Sequence, residues 1–152
     1  MNFEIHPGRG VGSLRLGASR REVEGLLGTP DHIDRHDSEE DSPEAESWEY
    51  ERLGLWLHFQ GDARFRLALI DLDALDASIG GVRPIGLEIE EARKLFGEVH
   101  AFELDENFPD TSRAVYDLRG SAVSLWFQDG VCDSVQVAVP IAFDGAYVWP
   151  TG

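Results

Sequence analysis

The sequence predicts an α+β protein of two tandem repeats. Each repeat is a short helix plus an antiparallel three- to four-stranded sheet, and the two are joined into one curved sheet with the helices on one face. Three observations predict this. Each half holds a short amphipathic stretch closed by glycine, each such stretch is followed by strict apolar alternation, and both features recur at nearly one offset, the mark of an internal repeat. Leu16-Gly17 precedes a stretch ending Leu26-Leu27-Gly28, and Ile85-Gly86, sixty-nine residues on, precedes one ending Leu95-Phe96-Gly97. At an offset of sixty-eight, Leu55, Leu57, Phe59 and Gln60 fall on Val123, Leu125, Phe127 and Gln128, and Trp48 and Tyr50 on Tyr116 and Leu118. The division lies near 78–82, giving repeat one over 1–78 and repeat two over 79–152.

The elements follow in chain order. Gly8-Arg9-Gly10-Val11-Gly12 reads as flexible turns ahead of the first helix. Ser19-Arg20-Arg21-Glu22 has the form of a capping box, in which the serine accepts from a free backbone N–H and the glutamate reaches back to the cap. Val23, Leu26 and Leu27 form an apolar stripe at i, i+3, i+4, and Gly28 with Pro30 supplies the stop. Two to three turns cannot stand alone in water, so packing must hold this helix. A polar segment comes next, then Leu55, Leu57 and Phe59 alternate with Trp56, His58 and Gln60 as a half-buried strand. Gln60-Gly61-Asp62 turns the chain into a further strand over 66–72.

In the second half Glu88 stands where Ser19 stands in the first, a weaker cap, while Ala92, Leu95 and Phe96 keep the stripe and Gly97 the stop. Gln128-Asp129-Gly130 is a hairpin signature between strands at 123–128 and 134–139. Tyr147-Val148-Trp149-Pro150 reads as an edge strand or a docked aromatic tail. The helix stripes should cover the sheet face bearing Leu55, Leu57, Phe59, Val123, Leu125 and Phe127.

Composition bounds the function. With 152 residues and 42% hydrophobic content the chain can bury a sizeable core, since a domain of this length removes roughly 70% of its unfolded surface from water. The formal net charge of −16 disfavours nucleic acid and anionic membranes, whose recognition relies on clustered Lys and Arg. The start MNFEIHPGRG has no cationic, apolar leader pattern and no run approaches a membrane span, so a cytoplasmic, membrane-free protein is expected. The single cysteine, Cys132, fits a reducing compartment.

The run Gly17-Ala18-Ser19-Arg20-Arg21-Glu22-Val23-Glu24-Gly25-Leu26-Leu27-Gly28-Thr29-Pro30 resembles the helix signature of the SmpA/OmlA lipoproteins and of β-lactamase-inhibitor-protein-like repeats. The two-copy arrangement is more similar to the inhibitor, whose tandem helix-plus-sheet units join into one curved sheet. The whole chain is also similar to small acidic bacterial proteins of uncharacterised function, some of them candidate toxin-immunity proteins. The resemblance implies a protein-binding scaffold without catalysis, and it transfers no binding residue.

Several constellations invite chemistry and are better read as structure. Asp71-Leu72-Asp73 after the apolar run 67–70 mimics the strand-then-DxD start of haloacid-dehalogenase-type phosphatases, but an antiparallel setting lacks the parallel sheet that this motif requires. His32 and His36 in Asp31-His32-Ile33-Asp34-Arg35-His36-Asp37 would face together on a helix and could ligate Zn²⁺ or Mn²⁺, yet Pro30 argues against a helix there. Cys132 follows a hairpin turn and reads as a small buried thiol. No G-x-S-x-G elbow occurs. No catalytic residue, metal or cofactor is therefore assigned. An enzyme would need a concave pocket in which Cys132 or Asp71 approaches a histidine.

The aromatic and acidic patterns point to binding. Trp56 and His58, with Trp126 and Gln128, lie on the sheet face opposite the helices, and Trp48 and Tyr50 add aromatic mass whose face the sequence does not fix. Tryptophan and tyrosine are enriched at interface hot spots, although cover by the tail or by a second copy would also account for them. Residues 31–51 carry ten acids and one base, and 98–112 five acids and no base, so these two segments hold −14 of the −16. Such loops either steer a basic partner or merely keep the chain soluble. The resulting expectation is a non-enzymatic scaffold for a protein partner, sharpened to an inhibitor or immunity protein for a basic toxin. Its site would comprise Trp48, Trp56, His58 and Trp126 with the loop acids Asp37, Glu39, Glu40, Asp41, Glu103, Asp105 and Glu106. A small-ligand or metal-binding module on the same aromatic face is the alternative. Oligomeric state stays open.

Overall fold

The computed structural model describes residues 3–37, 44–97, 102–104, 113–118 and 121–150. They form an α+β fold of two helices and two sheets. The four-stranded sheet runs β3-β2-β1-β8, with β1 (Glu4–His6), β2 (Gly10–Val11), β3 (Leu14–Arg15) and β8 (Ser78–Ile79); β1 pairs antiparallel with β2 and parallel with β8. The eight-stranded sheet is antiparallel throughout, in the order β4-β5-β6-β7-β12-β11-β10-β9. Its strands are β4 (His32–His36), β5 (Ala45–Tyr50), β6 (Leu55–Gln60), β7 (Arg66–Leu72), β9 (Phe102–Leu104), β10 (Arg113–Leu118), β11 (Val123–Gln128) and β12 (Val131–Ala138). Strands β4 to β7 follow helix α1 (Arg20–Leu27) in unbroken sequence, and β9 to β12 follow helix α2 (Ile89–Phe96).

Helix α1 starts as its sequence dictates. Glu22 N–H donates to Ser19 Oγ at 3.1 Å, and Ser19 N–H donates to Glu22 Oε1 at 3.2 Å, which satisfies two free donors of the first turn. At α2, Glu91 supplies the return half, accepting from Glu88 N–H at 3.1 Å. Each helix is also anchored just before its cap. Gly17 N–H donates to Leu67 O and Leu67 N–H to Ala18 O, while Gly86 N–H donates to Cys132 O and Cys132 N–H to Leu87 O.

A single core lies between the helices with the small sheet on one side and one face of the large sheet on the other. Val23, Ala92 and Phe96 from the helices and Ile5, Val11 and Leu14 from the small sheet pack with Leu55, Leu57, Phe59, Val123, Leu125 and Phe127. The strand alternation is therefore realised in both halves. Three expectations need correction. The helix stripes are narrower than drawn: Leu26 and Leu95 are each 47% exposed, because an eight-residue helix presents little more than one turn to the sheet. Residues 8, 9 and 12 are turns as expected, but Gly10–Val11 between them is a strand of the small sheet, whose two-residue strands and long-range partner at 78–79 leave no local signature. The polar segment after α1 is largely strand: Pro30 bars helix and the alternation of His32, Asp34 and His36 with Ile33 and Arg35 suits pairing with β5. The aromatic tail docks, with Tyr147 bridged to Ile141 and Trp149 packed on Gly17.

Candidate functional site on the outward sheet face

The same alternation that buries Leu55, Leu57 and Phe59 sends Trp56, His58 and Gln60 out of the opposite face. Cross-strand register extends that face. Ser47 and Glu49 of β5 lie opposite His58 and Trp56, Asp71 of β7 lies opposite Trp56 on its other side, and Gln136 of β12 lies beyond Asp71. In the other half Ser124 and Trp126 of β11 oppose Asp117 and Val115 of β10. Neither helix packs here, since both give their buried side chains to the core on the other face.

The centre of this face is a hydrogen-bonded chain across three strands. Ser47 Oγ lies 2.9 Å from His58 Nδ1, and His58 Nε2 lies 2.8 Å from Asp71 Oδ2. A carboxylate can only accept, so a neutral imidazole carries its proton on Nε2 and leaves Nδ1 to accept from the serine hydroxyl. Proton logic of this kind serves nucleophilic serines, and Asp71 does approach a histidine. The rest of that machinery is missing among the described residues. An oxyanion needs preorganised backbone donors, whereas Ser47 and His58 sit inside strands paired on both sides. The chain instead fixes the orientation of His58 beside Trp56.

Charge on the face is one-sided. Among the described outward-facing side chains, Asp34, Glu49, Asp71 and Asp117 are acidic, against Arg66 at the end of β7, whose guanidinium lies 5.3 Å from the Trp149 ring. On the helix side of the sheet, at the end of α1, lies a cleft of about 460 Å³ lined by Leu26, Leu27, Tyr50 and Leu53, with Ser13, Thr29, Asp31 and Arg52 as its polar members. Tyr50 Oη donates to Gly28 O at 2.8 Å. Burial, with Glu24 and Asp31 nearby, pushes the Tyr50 phenol up to about 12.

The sequence-derived site residues separate. Trp56, His58 and Trp126 share the outward face. Trp48 does not: it belongs to the core, its ring centroid 4.9 Å from that of Phe59 and its indole N–H donating to Glu46. A buried Trp48 cannot serve as a surface anchor. Asp37 is exposed just past β4, Glu103 lies in β9 opposite Asp117, and Glu39, Glu40, Asp41, Asp105 and Glu106 fall outside the described residues. Ser47, Glu49 and Gln136 went unnoticed, although counting in steps of two from Trp56 and across the hairpins would have found them. Asp71 lies on β7, an internal antiparallel strand as expected and not the first strand of a parallel sheet, and it does approach a histidine, His58. Cys132 is buried, and desolvation pushes its thiol up to about 12, which removes it as a nucleophile.

No family model matches the chain, and no curated protein matches it. One solved structure does: a DUF4309 family protein, YjgB, from Bacillus subtilis, with 14% sequence identity, 86% of this chain and 87% of that chain covered, and a TM-score of 0.52. At that identity the likeness is one of fold. It overturns the kinship read from residues 17–30: the structural match is to a DUF4309 protein, and kinship with SmpA/OmlA lipoproteins, β-lactamase-inhibitor-like repeats or toxin-immunity proteins finds no support. A capping box followed by a short stripe and a Gly-x-Pro stop is local helix chemistry that unrelated chains share, which is why that run misled.

Proposed function

We propose that the chain is a non-enzymatic protein-binding scaffold whose outward sheet face receives a basic protein partner. The observation that carries this reading is the partly exposed face centred on Trp56 and His58, on which neither helix packs, with an acidic surround among the described residues and a His58 ring held on both nitrogens. Partly exposed tryptophan beside fixed polar groups suits an interface centre, and a net charge of −16 would speed encounter with a cationic surface. The partner would be met in a reducing compartment, where a lone buried thiol is stable. We further propose that the two halves are copies of one unit. In support, each helix is tied by its preceding glycine to a strand of its own half, and the two runs of four strands meet at β7 and β12.

The test is affinity capture from the native host with wild-type protein and the Trp56→Ala variant, eluted in rising salt. A basic partner retained by the wild type, released by salt and lost with Trp56→Ala supports the reading. A partner indifferent to salt, or retained equally by the variant, overturns it. A second reading, a small-ligand module, is favoured by the cleft beside Tyr50, where the apolar Leu26, Leu27 and Leu53 stand with polar groups able to orient a ligand, Ser13, Thr29, Asp31 and Arg52. Native mass spectrometry that finds a retained small molecule, displaced by a Leu26→Trp substitution, would support it.

A further inference from the structure

We propose that His32, Glu49 and Glu51 form a binding site for a divalent transition ion of the Zn²⁺ class at the β4 edge of the large sheet. One nitrogen or oxygen from each side chain lies within 4.8 Å of the other two. His32 Nε2 and Glu51 Oε1 are 3.3 Å apart. Two ligands on a tetrahedral ion with bonds of about 2.1 Å sit about 3.4 Å apart, so this pair already has the spacing of neighbouring ligands.

The backbone explains why the three groups converge. His32 and Glu49 are direct cross-strand partners, so their side chains leave the same face of the sheet side by side. Glu51 begins the turn that ends β5, and its N–H donates to Asp31 Oδ2 at 2.7 Å, while Asp31 N–H donates to Glu49 O at 2.8 Å. The residue preceding the histidine therefore clamps the segment that carries both glutamates. His36, the second imidazole of the same strand, lies four residues along an extended chain, roughly 13 Å away, and takes no part.

Donor chemistry selects the ion. An imidazole with two carboxylates suits Zn²⁺ and its first-row neighbours, whereas Mg²⁺ and Ca²⁺ prefer oxygen-only shells. The two carboxylates match the charge of a divalent ion, and the surplus of acid elsewhere in the chain favours its approach. Three protein ligands leave a fourth position for water or a partner's side chain. This inference stands apart from the protein-binding reading, because it needs neither Trp56 nor a partner.

Isothermal titration of the full chain with ZnCl₂, and separately with MgCl₂, tests it. The expected result is one micromolar Zn²⁺ site, no comparable Mg²⁺ binding, and an affinity weakened by more than about tenfold in His32→Ala and in the Glu49→Gln/Glu51→Gln double variant. His36→Ala should bind as the wild type does. All these positions except Glu49 are exposed, so the variants should fold, which circular dichroism checks. Absence of Zn²⁺ binding, or Zn²⁺ binding undiminished in His32→Ala, overturns the proposal.

Discussion

The Trp48 indole N–H donates to Glu46 Oε1 at 2.6 Å, two residues back on the same strand and on the same buried face. The other carboxylate oxygen of Glu46 meets Arg20 Nη1 at 3.0 Å and Arg35 Nε at 3.4 Å. One buried acid therefore ties the first turn of α1, the edge strand β4 and the aromatic core. Replacing it with alanine strands the indole donor out of reach of water, while both arginines, 42% and 74% exposed, regain hydration. Glu46→Ala should cost about 2–3 kcal/mol in urea unfolding. Glu46→Gln, which keeps an acceptor for Trp48, should cost less; equal losses would show that the arginine pairs carry the effect.

That relationship also shows how far the sequence could be read. Apolar alternation on β6 and β11 and the Ser19 cap are local signals, and they located those two strands and α1 correctly. Glu46 lies in a run of acids where burial of one carboxylate depends on arginines contributed by residues 20 and 35. The small sheet depends on the pairing of Glu4 with Ser78, which no local pattern encodes. The outward face was half legible: Trp56 and His58 came from alternation, but Ser47 and Asp71 join them only through register across two hairpins. Trp48 misled because a tryptophan next to acids reads as surface until its partner strand is known.

Ser47 should not behave as a nucleophile. Its hydroxyl lies 2.9 Å from His58 Nδ1, and His58 is held by Asp71, yet the backbone donors around it belong to strand ladders rather than to an oxyanion site. A fluorophosphonate probe followed by intact-mass measurement should leave the protein unlabelled. Ser47→Ala removes one part-buried hydrogen bond, which should lower stability by about 1 kcal/mol and leave the fold intact. Stoichiometric labelling lost in Ser47→Ala would require an enzymatic reading.

Cys132 couples the fold to alkaline pH. Its thiol is raised from 9.0 to about 12, first by desolvation, with Asp133 adding to the effect. The folded chain thus holds this proton over a range where the unfolded chain has released it. Stability from this group is complete below about pH 9 and falls as the pH rises toward 12. The Tyr50 phenol, raised from 10.0 to about 12, adds loss in the upper part of the same window. Urea midpoints should therefore decline above pH 9, and less steeply in Cys132→Ala. Native protein should react with a disulfide reagent at pH 8 only as fast as it opens; immediate reaction would place the thiol at the surface.

Gly54 tests the turn that sets the β5 to β6 register. Its φ of +64° is left-handed, and a Cβ there would run into the Asp73 carboxylate, while Asp73 N–H donates to Gly54 O at 3.0 Å. Gly80, at φ +57°, has open space around a new Cβ. Alanine at position 80 should therefore carry only the backbone cost, about 1 kcal/mol. Alanine at 54 adds displacement of Asp73, a residue whose carboxyl is already raised by desolvation, and with it the bond that starts the chain beyond β7. Gly54→Ala should lower the unfolding free energy by about 2–3 kcal/mol, clearly more than Gly80→Ala. Because Trp56, His58 and Asp71 take their positions from strands β6 and β7, Gly54→Ala should also perturb the His58 imidazole resonances by NMR, and Gly80→Ala should leave them in place. Equal stabilities for the two variants would mean that the Gly54–Asp73 contact does not constrain the turn.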